Sequence, residues 1–68
     1  MSDSVYKVIE LVGTSPDSWE KAAAAAVKRA RGSLRDLRVG EISELDLQLS
    51  GEEIIYRARV RVSFKFDD

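Results

Sequence analysis

One segment of this chain alternates so regularly, and for so long, that it predicts an unusually long β-strand. From Ile54 to Phe66 every even-numbered residue is apolar, and from position 57 the odd-numbered residues up to 65 are arginine, serine or lysine. A period of two is typical of a strand with one buried face. At about 3.3 Å per residue the strand would be about 43 Å long, whereas strands usually have about 5–6 residues. A chain of 68 residues has little else to cover that face, so we expect neighbouring copies to complete the core.

The composition limits how such a chain is stabilised and used. Residues 1–68 are expected to form a single domain, and a chain of this size buries only about 60% of the surface it exposes when unfolded. The sequence contains no cysteine and no histidine, which excludes disulfides, thiolate metal sites and histidine-based catalysis. Oligomerisation is the most available stabiliser that remains.

Charge and hydropathy indicate which partners and which cellular compartment to expect. The net charge is −1, with 34% of residues charged, so the surface has no strong attraction for nucleic acid or for an anionic membrane. No uncharged run approaches the about 18 residues of a membrane span. The first residues also lack the basic-then-apolar pattern of a signal peptide. We expect a cytoplasmic protein that binds neither nucleic acid nor a membrane.

The first half of the chain predicts a strand followed by a helix. Residues 5–12 are rich in β-branched and aromatic side chains, and their apolar residues fall on both faces, which again indicates an interface. A helix is expected to run to about Arg31, with Ser15 as its N-cap, Pro16 at its first position and Gly32 as its stop. Its apolar stripe is mostly alanine, which lets a helix lie close to a sheet. The stripe consists of Trp19, Ala22, Ala23, Ala26, Val27 and Ala30.

The second half predicts a hairpin. Strand two is expected over residues 39–49, with a bulge near Gly40–Ser43 where the alternation slips, and residues 50–53 form the loop. Pairing Leu49 with Ile54 sets the register. It places four further pairs opposite one another: Leu47 and Tyr56, Leu45 and Ala58, Asp46 and Arg57, Glu44 and Arg59. The predicted fold class is α+β, in the order β-α-β-β, with a three-stranded antiparallel sheet packed on one helix.

Several groups of side chains are candidates for a function, and each has a structural alternative. The basic row of strand three suits an anion or nucleic acid, but the acids opposite favour a cross-strand charge ladder. Trp19 could stack on a planar ligand or anchor the helix. Carboxylates at 17/20, 52/53 and 67/68 lack the spacing of a calcium loop. The basic cluster near the helix end could hold a phosphate or complement the helix dipole. This basic cluster consists of Lys28, Arg29, Arg31, Arg35 and Arg38.

For catalysis the sequence offers no glycine-rich phosphate cradle and no nucleophile-elbow serine. Paired carboxylates are present, but nothing predicts that one of them has a raised pKa. We therefore do not expect an enzyme.

Motifs along nearly the whole chain resemble the dodecin family. The resemblance lies in the run from Val5 to Ser15 before an alanine-rich helix, in residues 37–42, and in the closing strand over 56–64. Its most specific parts are Glu10–Ser15 and Val62–Phe64. The resemblance implies small subunits of β-α-β-β order that assemble as hollow homododecamers and bind flavins in pairs between subunits, for storage or buffering.

The resemblance also implies a ligand site. In the family, an aromatic residue on strand two stacks on the isoalloxazine ring, and a glutamine after the tyrosine of strand three binds the ring edge. Val39 and Arg57 hold those places here, and Glu44 matches the acidic position near the polar side chain of the flavin. The implied cofactor-binding residues are therefore Val39, Glu44 and Arg57, with riboflavin or FMN as the cofactor.

Two of these contacts differ from the family pattern, and that leaves two alternatives open. In the first, the shell binds calcium, magnesium or another ion instead of flavin, with no ligands assigned to the metal. In the second, the assembly is purely structural.

Overall fold

The computed structural model describes residues 3–65 and has the predicted β-α-β-β order. The elements are strand β1 (Tyr6–Ser15), helix α1 (Trp19–Ser33), strand β2 (Leu37–Ser50) and strand β3 (Glu53–Lys65). The strands form one antiparallel sheet in the order β1-β3-β2, and α1 packs on one of its faces. Because β2 and β3 are so long, the subunit measures 55 × 20 × 15 Å.

Strand β3 lies in the centre of the sheet and matches the long strand predicted from the alternation. The prediction began at Ile54 and ended at Phe66; the observed strand begins one residue earlier, and Phe66 lies outside the described residues. The predicted hairpin register is confirmed. The observed partners are Leu49 and Ile54, Leu47 and Tyr56, Asp46 and Arg57, Leu45 and Ala58, and Glu44 and Arg59.

Strand β2 contains the predicted bulge and a second one that was not predicted. The register shifts between Ile42 and Glu44, which leaves Ser43 as the additional residue, and its hydroxyl donates to the Arg59 carbonyl oxygen at 3.3 Å. The other shift lies between Leu37 and Val39. A bulge turns the following side chains onto the other face of the sheet, so two bulges keep the apolar residues of β2 in phase with the apolar face of β3.

The predicted start of the helix is wrong by one turn. Ser15, expected as the N-cap, is the last residue of β1, and its hydroxyl accepts a hydrogen bond from the Asp17 amide at 3.0 Å. Ser18 is the true N-cap; it has extended backbone angles and accepts from the Lys21 amide at 3.0 Å. Pro16 therefore lies in the turn before the helix. Two serines three residues apart are both good capping residues, and sequence alone did not separate them.

The end of the helix also differs slightly from the prediction. Gly32 does not stop α1, which continues to Ser33, and the Leu34 amide caps it by donating to the Ala30 carbonyl oxygen at 2.8 Å. The reversal into β2 is made by Asp36, whose φ of 58° is in the left-handed region. Aspartate tolerates that conformation better than most residues.

The core between α1 and the sheet is built from small side chains. The predicted alanine stripe is confirmed: Ala22, Ala26 and Ala30 are buried, and Ala23 and Val27 pack against the core. Trp19, at the start of the stripe, is half-exposed. Gly13 of β1 permits this close approach: a Cβ atom there would collide with the Ala22 carbonyl oxygen and lie 3.1 Å from the Ala26 Cβ. The buried core residues are Ala22, Ala26, Ala30, Ala58, Val60 and Val62.

This core leaves much of the apolar surface uncovered. Helix α1 lies over β1 and β3 and barely reaches β2. The apolar residues of the hairpin on the helix side therefore stay exposed, with Leu49 at 74% the most exposed of them. We call this row the apolar strip; it consists of Ile42, Leu45, Leu47, Leu49 and Ile54. In the described part of the chain, no helix has the length and hydropathy needed to traverse a bilayer.

Candidate functional site

The face of the sheet that points away from α1, which we call the open face, carries most of the charged side chains of the strands. The alternation of β3 places its arginines there, and the confirmed register brings an acid from a neighbouring strand opposite each of them. The result is the predicted cross-strand charge ladder. Its members are Arg57, Arg59 and Arg61 of β3, Glu10 of β1, and Glu41, Glu44 and Asp46 of β2.

Arg57 and Asp46 form the best-defined pair of this ladder. The guanidinium donates through Nε to Oδ1 at 2.7 Å and through Nη2 to Oδ2 at 2.9 Å. Two parallel charge-assisted bonds fix the orientation of both groups. The hydrogen bonds from Arg57 hold the pKa of Asp46 below its ordinary value, and the same bonds raise the pKa of Arg57. Arg57 is thus already committed to a partner within its own chain.

The other two arginines share their acids. Arg59 donates to Glu44 at 3.2 Å and to Glu10 at 3.3 Å, and Arg61 donates to Glu10 at 3.1 Å. Glu10 therefore bridges two guanidinium groups, and the hydrogen bond from Arg61, with that from Arg59, lowers its pKa. The ladder ties all three strands together across the open face.

The structure brings two of the three predicted site residues close together and leaves the third apart. Glu44 lies opposite Arg59, which is two residues from Arg57 along β3 and on the same face. Val39 lies opposite Ser63, six residues from Arg57, which is about 20 Å along the strand. Its side chain is 61% exposed. Within one chain, Val39 and Arg57 therefore do not line a common pocket.

Trp19 anchors the helix to the hairpin. Its ring packs edge-on against Tyr56, with centroids 5.1 Å apart and an interplanar angle of 76°. Its Nε1 donates to the Asp46 carbonyl oxygen at 3.1 Å. The ring is 36% exposed and borders a shallow apolar cavity of ≈ 550 Å³ between α1 and β2, which Ala23, Ile42 and Leu45 also line. This cavity was not predicted from the sequence; the only related signal was the phase slip near Ile42, which was interpreted as a bulge.

The described residues of one subunit do not form a complete metal site. Among residues 3–65, no group of three or more aspartate or glutamate side chains is placed to hold an ion. The carboxylates of Glu10, Glu44 and Asp46 are engaged by arginines.

These features define a small α+β subunit with a neutralised charge ladder on one face and uncovered apolar surface on the other. A family model described as Dodecin matches residues 5–67. The chain belongs to the dodecin family.

The chain is also similar to individual dodecins. It is 56% identical over 63 residues to the calcium dodecin of Mycobacterium tuberculosis, covering 91% of this chain and 89% of that protein. It is 39% identical over 66 residues to the dodecin of Thermus thermophilus, covering 94% of each. A crystal structure described as the calcium chelating immunodominant antigen, calcium dodecin, from M. tuberculosis with a novel calcium-binding site superposes with a TM-score of 0.87 at 52% identity, covering 94% of this chain and 93% of that one.

Proposed function

We propose that this protein is a non-enzymatic, cytoplasmic binding protein that assembles as a hollow homododecamer and stores a small ligand at contacts between its subunits. The observation that carries the assembly is the uncovered apolar surface. Leu45, Leu47 and Leu49 are each exposed on one side of the sheet, while Val8 and Val12 are exposed on the other. Patches of this kind on a small chain mark protein–protein contacts. Each Å² of apolar surface buried in such a contact contributes about 25 cal/mol, which adds stability that the small core lacks.

The ligand we propose first is calcium. The observation that favours it is the 56% identity to a protein named calcium dodecin, which extends over 91% of this chain. One subunit does not supply a complete oxygen shell within residues 3–65, so the ligands would come from several copies around a symmetry axis. In such an arrangement even one carboxylate per chain becomes a cluster, and Ca²⁺ accepts six to eight oxygen ligands in flexible geometries.

Two features of the site weigh against flavin as the first choice. Val39 has no ring to stack on an isoalloxazine, and stacking on an aromatic side chain is worth about 1–3 kcal/mol per base-like ring. Arg57 is held by Asp46 through two hydrogen bonds of 2.7 and 2.9 Å. A flavin would have to break that pair before using the guanidinium as a donor.

Flavin nevertheless remains the second candidate, as riboflavin or FMN. The observation in its favour is that Val39, Glu44 and Arg57 all have partners on the open face of the sheet. Copies meeting across that face would bring Val39 of one subunit toward Arg57 of another, as the site implied by the family resemblance requires.

Thermal unfolding in calcium and in magnesium tests the first candidate. A ligand that binds only the folded assembly stabilises it by about 2.7 kcal/mol when the free ligand concentration is about a hundred times Kd. We expect calcium to raise the melting temperature in a saturable way, and magnesium at the same concentration to raise it much less. Equal small shifts from both ions would contradict a calcium site.

Flavin fluorescence titration tests the second candidate, with Val39→Trp as the informative variant. If a flavin pocket is present, the introduced ring should strengthen binding by about tenfold or more. Val5→Trp is a matched control, because Val5 is equally exposed, at 62%, but lies before β1. An assembled Val39→Trp variant that quenches flavin no better than the wild type would rule out the flavin site.

A further inference from the structure

The start of β2 and the end of α1 border a small cavity of ≈ 110 Å³, which is also lined by Val39, a residue of the candidate flavin site. Its floor is apolar, formed by Val27 of α1, Val62 of β3 and the backbone of Gly40. Two arginines also line it, Arg31 from the last turn of α1 and Arg38 from β2. Both belong to the basic cluster noted in the sequence.

The unpredicted bulge brings one of these arginines to the cavity. The register shift between Leu37 and Val39 makes Arg38 the additional residue of β2, with no partner on β3 in the register. A residue at a bulge leaves the ladder of backbone hydrogen bonds, and its side chain is aimed away from the regular alternation. Arg38 from β2 and Arg31 from α1 thus both line the cavity.

Gly40 keeps the cavity open. A Cβ atom at this position would lie 3.8 Å from Val27 Cγ2 and 3.9 Å from Val60 Cγ1, which are ordinary van der Waals distances. The position therefore accepts a methyl group without strain, and the space it would fill is left empty by the glycine. The volume and the two flanking guanidinium groups suit a compact anion.

The charges around the cavity favour a divalent anion over a monovalent one. Arg31 and Arg38 supply two positive charges, and neither makes a salt bridge with another residue in the range 3–65. The negative end of the helix dipole, about half a charge, and the carboxylate of Asp36 oppose binding. A guanidinium presents a planar fork of donors that matches phosphate oxygens, and the apolar floor strengthens the attraction by excluding water from one side.

We propose that this cavity is a binding site for a phosphate group, held between Arg31 and Arg38 over the floor formed by Val27, Gly40 and Val62. The proposal does not depend on calcium binding, and of the three candidate flavin residues only Val39 borders the cavity. The phosphate is either the free ion or the terminal group of a phosphomonoester, since both present the same three oxygens.

Inorganic phosphate is the probe for the first experiment. Thermal unfolding of the full chain is followed as phosphate replaces sodium chloride at constant ionic strength, in calcium-free buffer to avoid precipitation. We expect a saturable rise in melting temperature for the wild type. A melting temperature in phosphate that is no higher than in sodium chloride of the same ionic strength overturns the proposal.

Charge-matched variants test the two arginines. Arg31→Gln and Arg38→Gln each remove one charged donor, and we expect each to weaken phosphate binding about tenfold or more. Lys28→Gln removes the same charge from α1 at a residue that does not line the cavity, and should bind like the wild type. Equal weakening by all three substitutions would show a diffuse charge effect and overturn the site.

Gly40→Ala tests the cavity itself. The added methyl group fits without strain but occupies part of the floor, so the variant should fold normally and bind phosphate more weakly. Unchanged affinity in a folded Gly40→Ala variant would contradict the placement. A parallel titration with glycerol phosphate shows which phosphate compound the site prefers. If glycerol phosphate binds more tightly than inorganic phosphate, the ligand is an organic phosphomonoester. If it binds more weakly, the ligand is the free phosphate ion.

Discussion

Gly13 is the residue at which the backbones of α1 and β1 come closest, and its missing side chain controls how the helix sits on the sheet. A Cβ atom there would overlap the Ala22 carbonyl oxygen and lie 3.0 Å from its carbonyl carbon. Those are backbone atoms, which do not move aside as a flexible side chain does. The whole helix would have to shift away from β1.

We therefore expect Gly13→Ala to lower the free energy of unfolding by about 1–3 kcal/mol through overpacking. Chemical denaturation of the purified protein measures the effect. Gly32→Ala is the matched control. Apart from the adjacent residues and the backbone of the helix itself, no described atom lies within 4 Å of a Cβ there, and alanine in place of a helical glycine adds about 0.5–1 kcal/mol. Equal free energies of unfolding for the two variants would contradict the close approach at Gly13.

The carboxylates of the charge ladder make stability depend on pH. Arginines lower the pKa of Glu10 and of Asp46 below their ordinary values of 4.5 and 3.8. A carboxylate whose pKa is lower in the folded state contributes stability that is complete above its unfolded pKa and is lost as the pH falls through its folded pKa. The ladder should therefore keep its full effect at neutral pH and weaken only in acid.

The corresponding prediction is that the free energy of unfolding falls as the pH drops below about 4.5. Glu10→Gln removes the acid that bridges two arginines, so its unfolding should depend less on pH in this range than that of the wild type. Glu52→Gln, in the hairpin turn, should keep the wild-type dependence. Identical acid profiles for all three proteins would contradict the role of Glu10.

At the scale of elements, the N-terminus of α1 depends on a single capping side chain. Ser18 accepts a hydrogen bond from the Lys21 amide, while Asp17 and Lys21 form an exposed ion pair at 3.3 Å. We expect Ser18→Ala to cost about 1 kcal/mol of stability, as at other N-caps. Ser33→Ala, at the last residue of the helix, should cost much less in the same denaturation experiment. A loss at Ser33 equal to that at Ser18 would be incompatible with this cap.

Comparing the predicted with the observed elements shows which local sequence patterns were enough to predict the structure. The apolar alternation of β3 and the leucines of β2 specified the hairpin register, because a one-residue slip would put charges on the face that packs on α1. The helix boundaries were less certain, since Ser15 and Ser18 are equally good caps and only the length of β1 decides between them. The bulge at Arg38 was missed because the predicted strand began at Val39, which left Arg38 in the connector, whereas β2 begins at Leu37.

At the scale of the whole molecule, the proposed assembly makes the apolar strip the expected contact between copies. Leu47 is exposed on the helix side of the hairpin, where a neighbouring copy would cover it. We expect Leu47→Lys to shift the protein to smaller species in sedimentation velocity, because an unpaired charge is costly to bury. Ala24→Lys adds the same charge on the exposed side of α1 and should leave the assembly unchanged. A Leu47→Lys particle of wild-type size would place the interface elsewhere.

The candidate site was less predictable than the fold. The family resemblance pointed to Val39, Glu44 and Arg57. Their distances from one another depend on the strand register, which sets the position of each along the sheet. The structure places Glu44 near Arg57 and leaves Val39 opposite Ser63, farther along β3. Whether they share a pocket depends on contacts between copies, which the sequence of one chain does not encode as a local pattern.

The sequence by itself determined the order of elements, the hairpin register, the alanine face of α1 and the charge ladder, because each follows from local periodicity. Only the tertiary structure decided that Ser18 caps the helix, that Arg57 is paired to Asp46 through two hydrogen bonds, and that Arg31 and Arg38 line one cavity. These features join residues that are distant in the chain. Their positions depend on how closely α1 approaches the sheet and on where the bulges of β2 fall.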